Sequence, residues 1–198
     1  MGVIGVAIDG AQAAAKKLQK LGADLLEAER RAVDRAANEM RSTFVRAASG
    51  EILKRRTGVY ASSIGRGPVE RGVNGSFEAR VGVREGGASK YAEIHETGGV
   101  IRPKGKVLAI PVGNALTPAG VARFGPRDVP DGFWRKSKNG NLVFLAPKGA
   151  GGELEVLFVG KTSVTIPARA PMRKSFEEIR PRVPSIVQEE VARAVASA

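Results

Sequence analysis

Residues 132–147 read GFWRKSKNGNLVFLAP, and this stretch decides the fold class. Asn139-Gly140 is a strong short-range hairpin signal, because a tight chain reversal needs a residue that tolerates positive φ. It stands between GFWRKS and LVFLAP, so the stretch predicts a β-hairpin. Downstream, KGAGGE reads as a second turn, LEVLFVG as another strand and KTSVTIPARAP as an extended arm. Upstream, 100–112 holds two extended pieces, VIRP and KVLAIPV, and Pro111 ends the second or puts it at a sheet edge. Residues 113–131 are irregular, with Pro118, Pro126 and Pro130. In 76–84 (SFEARVGVR), Phe77, Ala79, Val81 and Val83 alternate with polar residues and Gly82, the period-two pattern of a half-buried strand.

Both ends of the chain read as helix. Residues 3–8 (VIGVAI) suggest a short strand, and 11–21 a helix closed by Gly22. Asp24 opens a longer helix to about Ala48, with Leu26, Val33, Ala37, Met40 and Phe44 on one stripe. Glu27, Arg30, Arg31, Asp34, Arg35 and Arg41 fall mostly on the other face, where Glu27–Arg31 and Arg30–Asp34 make weak i,i+4 pairs. Thr57-Gly58 breaks the chain, and residues 59–64 form a short helical turn or an extended piece. Residues 88–97 read as a short helix ended by Gly98-Gly99. Residues 171–196 are helical, with a kink expected near Arg180 because Pro181 and Pro184 cannot sit in a straight helix interior. Phe176, Ile179, Val183, Ile186, Val187 and Val191 trace one apolar side. The whole reads as α+β: a small mixed or antiparallel sheet, a long N-terminal helix, a kinked C-terminal helix and a β-hairpin insertion. Residues 1–198 form one domain, with 100–164 an inserted hairpin and loop region.

Composition narrows the chemistry. The 198 residues are 42% hydrophobic, enough to bury a core at this size. Cysteine is absent, which removes disulfides and thiolate chemistry. The apolar start meets Asp9 too soon for a signal peptide, and no run approaches the ~20 apolar residues of a membrane span. His95 is the single histidine. No histidine pair can bind a metal, and a triad would rest on it alone. It reads as a packing residue beside Tyr91, its i,i+4 neighbour; the rival reading is an acid–base pair with Glu93 or Glu96. The glycine runs GAGG and GVNG lack the residues of a phosphate loop. Neither an enzyme nor a cofactor is expected.

The net charge is +12. Such a chain attracts polyanions, or meets acidic neighbours in an assembly. Lys54, Arg55 and Arg56 are consecutive. Arg102, Lys104 and Lys106 alternate, so in an extended segment they share one face. Arg135, Lys136 and Lys138 flank the hairpin turn, with Phe133, Trp134 and Phe144 nearby. Those aromatics could stack on bases, although hairpin aromatics more often pack across strands. Long loops in a chain of this size are usually functional or ordered by a partner. The expected partner surfaces are 100–112, the hairpin around Trp134 and Phe144, and the arm 162–169. Named residues are Arg102, Lys104, Lys106, Phe133, Trp134, Arg135, Phe144, Thr165, Ile166 and Arg169.

Three segments in order resemble a family of phage proteins. RRTGVYASSI at 55–64 is similar to the family's R-x-T-G-x-L-x-x-S-I segment. KYAEIHETGG at 90–99 is similar to Y-A-x-x-x-E-x-G. TIPARAPMRKSFEEI at 165–179 resembles the P-A-R-P-F-L segment that begins the last helix, with Ala170 inserted and Met172 where an aromatic is usual. The family is the neck and tail-completion proteins of long-tailed phages, including the lambda-type minor tail protein Z. The resemblance gives structural roles to Thr57, Gly58, Tyr91, Glu96, Gly98, Pro167 and Pro171. Tyr91 would seat the short helix on the core, and Met172 and Phe176 would anchor the last one.

The resemblance implies a homo-oligomeric ring, a hexamer to match the tail tube, at the head–tail junction or the head-proximal end of the tail. Its partners would be connector or stopper proteins, tail tube or terminator proteins, and DNA in the lumen without sequence specificity. Its location would be the virion neck or tail, after assembly in the host cytoplasm, with no membrane contact. A basic nucleic-acid-binding module is the alternative function.

Overall fold

A computed structural model describes residues 11–149 and 152–197. The fold is α+β, and the chain gathers into two compact units. The first takes residues up to Ala47, Ile64–Arg84 and the chain from Met172 on; the second takes Ala48–Ser63 and Glu85–Pro171. All of 100–164 falls in the second unit. The strand expected at 3–8 lies outside the described residues.

The first unit is built on α1 (Ala11–Arg46). Gly22, expected to end a first helix, is passed without a break. It has no positive φ, and one glycine costs only about 1 kcal/mol among good helix formers. The chain returns as α4 (Pro171–Ile179), a 3-10 turn (Arg180–Arg182) and α5 (Val183–Ala196). This is the expected kink, with Pro181 in the 3-10 turn and Pro184 in the first turn of α5, where its missing N–H costs nothing.

Packing of α5 on α1 uses small residues. Ala28 and Ala32 of α1 and Ile186 and Ala194 of α5 are buried. The predicted stripe holds at Ala37 and Phe44 but not at Leu26, which is exposed. Charges expected to face solvent instead hold the unit together. Arg31 Nε donates to Glu190 Oε2 at 3.2 Å, Arg35 pairs with Glu189, and Arg182 with Glu39 at 3.1 Å. Asp34 pairs with Arg66 at 2.8 Å rather than with Arg30, which turns back to Glu27 at 2.7 Å.

Short strands flank this helix pair. β1 (Ile64–Arg66) pairs antiparallel with β4 (Val81–Val83), and β2 (Glu70–Arg71) with β3 (Phe77–Glu78). The strand expected over 76–84 is therefore split. Opposite its middle stands Pro68, which has no N–H to continue the ladder, and only Gly67 N–H reaches across, to Arg80 O at 2.8 Å.

The second unit contains α2 (Val59–Ser63), α3 (Ser89–Thr97) and two antiparallel sheets. One sheet pairs β5 (Gly99–Ile101) with β10 (Val164–Ile166). The other has four strands: β6 (Leu108–Pro111), β7 (Phe133–Lys136), β8 (Leu142–Pro147) and β9 (Leu154–Lys161), in the order β6-β9-β8-β7. Pro111 closes β6, which is an edge strand, as proline requires. The β7–β8 hairpin turns through Lys138, Asn139 and Gly140. Ser137 N–H donates to Asn141 O at 2.8 Å, and Gly140 takes φ 76.

The core of this unit is aromatic and crosses the sheet. Trp134, Phe144 and Phe158 stand in register on β7, β8 and β9. Trp134 meets Phe144 edge-on at 5.3 Å, and Phe144 meets Phe158 at 5.7 Å. The register shifts between Phe144 and Leu145, so Leu157 is skipped in the pairing and both Leu157 and Phe158 are buried. A bulge does this by setting two successive side chains toward one face. A Cβ on Gly132 would stand 2.2 Å from the Phe144 ring, so only glycine fits there.

Candidate assembly surfaces

The C-terminal helices of the first unit carry two stripes, and the buried one is the less apolar. Its members include Ser175, Ile179, Ile186, Glu190 and Ala194. The second stripe runs Met172, Phe176, Val183, Val187, stepping by four, seven and four. Met172 is 39% exposed, Phe176 54% and Val187 38%, whereas Glu190 is 4% exposed. Ordinary folding places Phe inside and Glu outside. The inversion has a local cause: Glu190 accepts from Arg31 and, at 2.8 Å, from Arg193, so its burial is compensated. Phe176 and Met172 were expected to anchor α4 on the core; both are exposed instead, and Ser175 and Ile179 are buried.

The exposed stripe forms one wall of an open groove of about 490 Å³. Val33, Ala36 and Met40 of α1 line it too, together with Ala79 and Val81. Arg173 and Arg180 are the charged residues that line it. A contiguous apolar surface of this kind marks a docking site more often than a scattered exposed residue does.

The second unit presents a cationic cluster. Ile101 lies opposite Val164 in one sheet, and Leu108 opposite Lys161 in the other. The segments 102–107 and 162–163 therefore run side by side. Arg102, Lys104, Lys106 and Lys161 are exposed there, and neither segment contains an acidic residue. None of the four makes an ion pair among the described residues. Residues 104–106 bend rather than extend, so alternation does not by itself set Arg102, Lys104 and Lys106 on one face; Lys161, which the sequence did not single out, is brought alongside this segment by the strand register.

The arm before α4 is fixed to α3. Arg169 N–H and Ala170 N–H both donate to His95 O, at 2.9 and 3.0 Å, and Arg169 Nη1 reaches Ile52 O at 3.4 Å. Gly98 has φ 74, and a Cβ there would lie 2.7 Å from Ala168 N and 3.1 Å from Ile166 O. The inserted Ala170 is buried with φ 49. Gly58 has φ 79, and Thr57 Oγ1 accepts from Val59 N–H at 3.3 Å. Pro167 is exposed and Pro171 buried.

His95 meets Tyr60 rather than Tyr91. The rings are edge-to-face at 5.9 Å, while Tyr91 is 58% exposed and does not seat α3 on the core. On a short helix the i,i+4 spacing puts both residues on one face, but the chain from α2 supplies the aromatic partner. Burial, and then the Arg169 charge, push the His95 pKa below its usual value. Burial, with the charge of Glu96 adding, pushes the Tyr60 hydroxyl up to about 12. Both groups are therefore neutral near pH 7. Among the described residues no group of three or more His, Cys, Asp or Glu could hold a metal ion, and no helix is long and apolar enough to cross a membrane.

The other expected partner residues divide. Phe133, Arg135 and Thr165 are exposed and Ile166 is half-buried. Phe144 is 3% exposed at the centre of the four-stranded sheet, and Trp134 packs on it. Phe144 cannot meet a partner without unfolding its own unit. The hairpin around Trp134 and Phe144, expected as a partner surface, is core of its own unit. No family model, curated protein or solved structure matches this chain.

Proposed function

We propose that this chain is a structural virion subunit of a tailed phage. It closes into a ring at the head–tail junction or the head-proximal end of the tail and is needed for tail completion and head–tail joining. The observation that carries the reading is the open apolar groove of the first unit, with Phe176, Met172 and Val187 partly exposed beside a buried glutamate. A monomer gains nothing from this arrangement; an assembling subunit gains a contact surface. A groove and its occupant are different surfaces, so the contact is heterologous, and such contacts close into rings when the rotation allows. The three motifs that resemble the neck and tail-completion family support the same reading. The structure gives Gly58 and Gly98 backbone conformations that favour glycine, which fits structural rather than catalytic motifs.

The test is assembly. Full-length chain, examined by negative-stain electron microscopy over a concentration series, should form rings, with six-fold rings expected. Mixed with phage heads and tails lacking their joining protein, it should restore joined particles. A chain that stays monomeric at high concentration and joins neither component overturns the reading.

The cluster of Arg102, Lys104, Lys106 and Lys161 favours a second reading, contact with a polyanion such as DNA in a lumen or an acidic connector. Four phosphate contacts give a salt slope near −3.6, so affinity should fall roughly 100-fold between 50 and 200 mM salt. Absence of any DNA shift at low salt removes the nucleic-acid form of this reading.

A further inference from the structure

We infer that the groove is filled in the assembly by residues 3–8 of a second copy of this chain. The inference rests on the ring reading and names its contact. Residues 3–8 read VIGVAI, with no charged or polar side chain, and Asp9 follows. The groove asks for such a segment: its walls are apolar and its lining charges are Arg173 and Arg180. An apolar strap ending in a carboxylate matches both features, whereas the Lys-rich stretch at 16–20 would meet like charge.

Reach decides that the donor is a different molecule. α1 is continuous from Ala11. Ala32, at the near end of the groove, therefore lies about 32 Å from Ala11 at 1.5 Å per residue. Only residues 9 and 10 separate Ile8 from Ala11, and that link spans at most about 11 Å. Even fully extended, the eight steps from Ala11 back to Val3 span at most about 29 Å, so residues 3–8 fall short of the groove of their own chain. The stretch of α1 from Ala32 to Met40 is about 12 Å long. It accommodates three or four extended residues at ~3.4 Å each, so part of VIGVAI is sufficient. Passing one strap from each subunit to the next makes a head-to-tail contact, with the rigid helix setting the spacing between neighbours.

The chain has no cysteine, which gives a crosslinking test without background. Two full-length variants, Val6→Cys and Met172→Cys, are mixed under assembly conditions and treated with a short bismaleimide. Crosslinked heterodimer should form at least tenfold faster than in a control mixture of Val6→Cys with Asn139→Cys, the latter in the exposed hairpin turn. The double variant Val6→Cys/Met172→Cys should give a ladder of oligomers. Equal rates in the two mixtures, or only intramolecular crosslinking in the double variant, overturn the inference. Rings that form and join heads to tails while the two mixtures react equally would sink the strap and leave the ring reading standing. Failure to form rings or join particles counts against the ring reading itself.

Discussion

Gly98→Ala is the substitution whose cost can be worked most fully from the structure. Gly98 has φ 74 and ψ 175, a region populated almost entirely by glycine, and holding alanine there costs about 1–3 kcal/mol. The new Cβ would also stand 2.7 Å from Ala168 N and 3.1 Å from Ile166 O. Both are backbone atoms, and the arm that carries them is tied through Arg169 and Ala170 to His95 O. It cannot yield without releasing those bonds, so overpacking adds about 1–3 kcal/mol. Against this, alanine restricts the unfolded chain, a gain of about 0.4–1 kcal/mol. The net loss is about 3 kcal/mol. Trp134 is the single tryptophan and lies in the same unit, so its fluorescence reports the unfolding directly. With a urea slope of about 2 kcal/mol per M, the midpoint should fall by about 1.5 M. Gly105→Ala is the control, since nothing lies within 4 Å of its Cβ and its φ is unrestrictive; it should change stability by less than about 0.5 kcal/mol. A loss below about 1 kcal/mol for Gly98→Ala would refute the tie between α3 and the arm.

Phe176→Asp should leave the circular dichroism of the monomer unchanged, because the ring is already half exposed. It should weaken self-association at least tenfold per contact, from about 1.5 kcal/mol of lost apolar burial, as read by sedimentation. Glu190→Gln should cost about 1.5 kcal/mol, measured by helix unfolding, because the charge-assisted bonds from Arg31 and Arg193 are lost. His95 should make the second unit pH-sensitive. Its folded pKa lies below its unfolded value, so the unfolded state binds more protons in the interval between them. Stability is full above about pH 6.5 and falls as pH drops through that interval. His95→Gln should abolish this slope in Trp134-detected unfolding between pH 5 and 7.

The elements that the sequence announced are those with a local chemical cause. Asn139-Gly140 marked the hairpin because Gly140 supplies the positive φ that the turn needs. Pro181 and Pro184 marked the kink because proline cannot continue a helix ladder. What stayed hidden depends on tertiary partners. Ala28 and Ala32 carry the helix pairing, but alanine gives almost no signal in an apolar pattern. Gly22 resembled a stop, and nothing local distinguishes a tolerated glycine from a cap. Arg31 and Arg35 looked solvated until α5 brought Glu189 and Glu190 to them. The groove was invisible for the deepest reason. Periodicity shows that the C-terminal helices have apolar positions, but it cannot say which stripe meets the core, and Ser175 and Glu190 took the place expected of Phe176. The cationic cluster was half legible: the sequence singled out Arg102, Lys104 and Lys106, but through an alternation that the bend at 104–106 does not keep, and the strand register added Lys161.

Native mass spectrometry of the intact chain from sub-micromolar to high micromolar protein bears most directly on the claim that it is completed by its own copies. Masses should shift with concentration from the monomer to one closed multiple of 20.8 kDa, and Phe176→Asp should hold the population at the monomer. A single 20.8 kDa species at every concentration, with the Phe176 variant indistinguishable from the parent, would contradict the account.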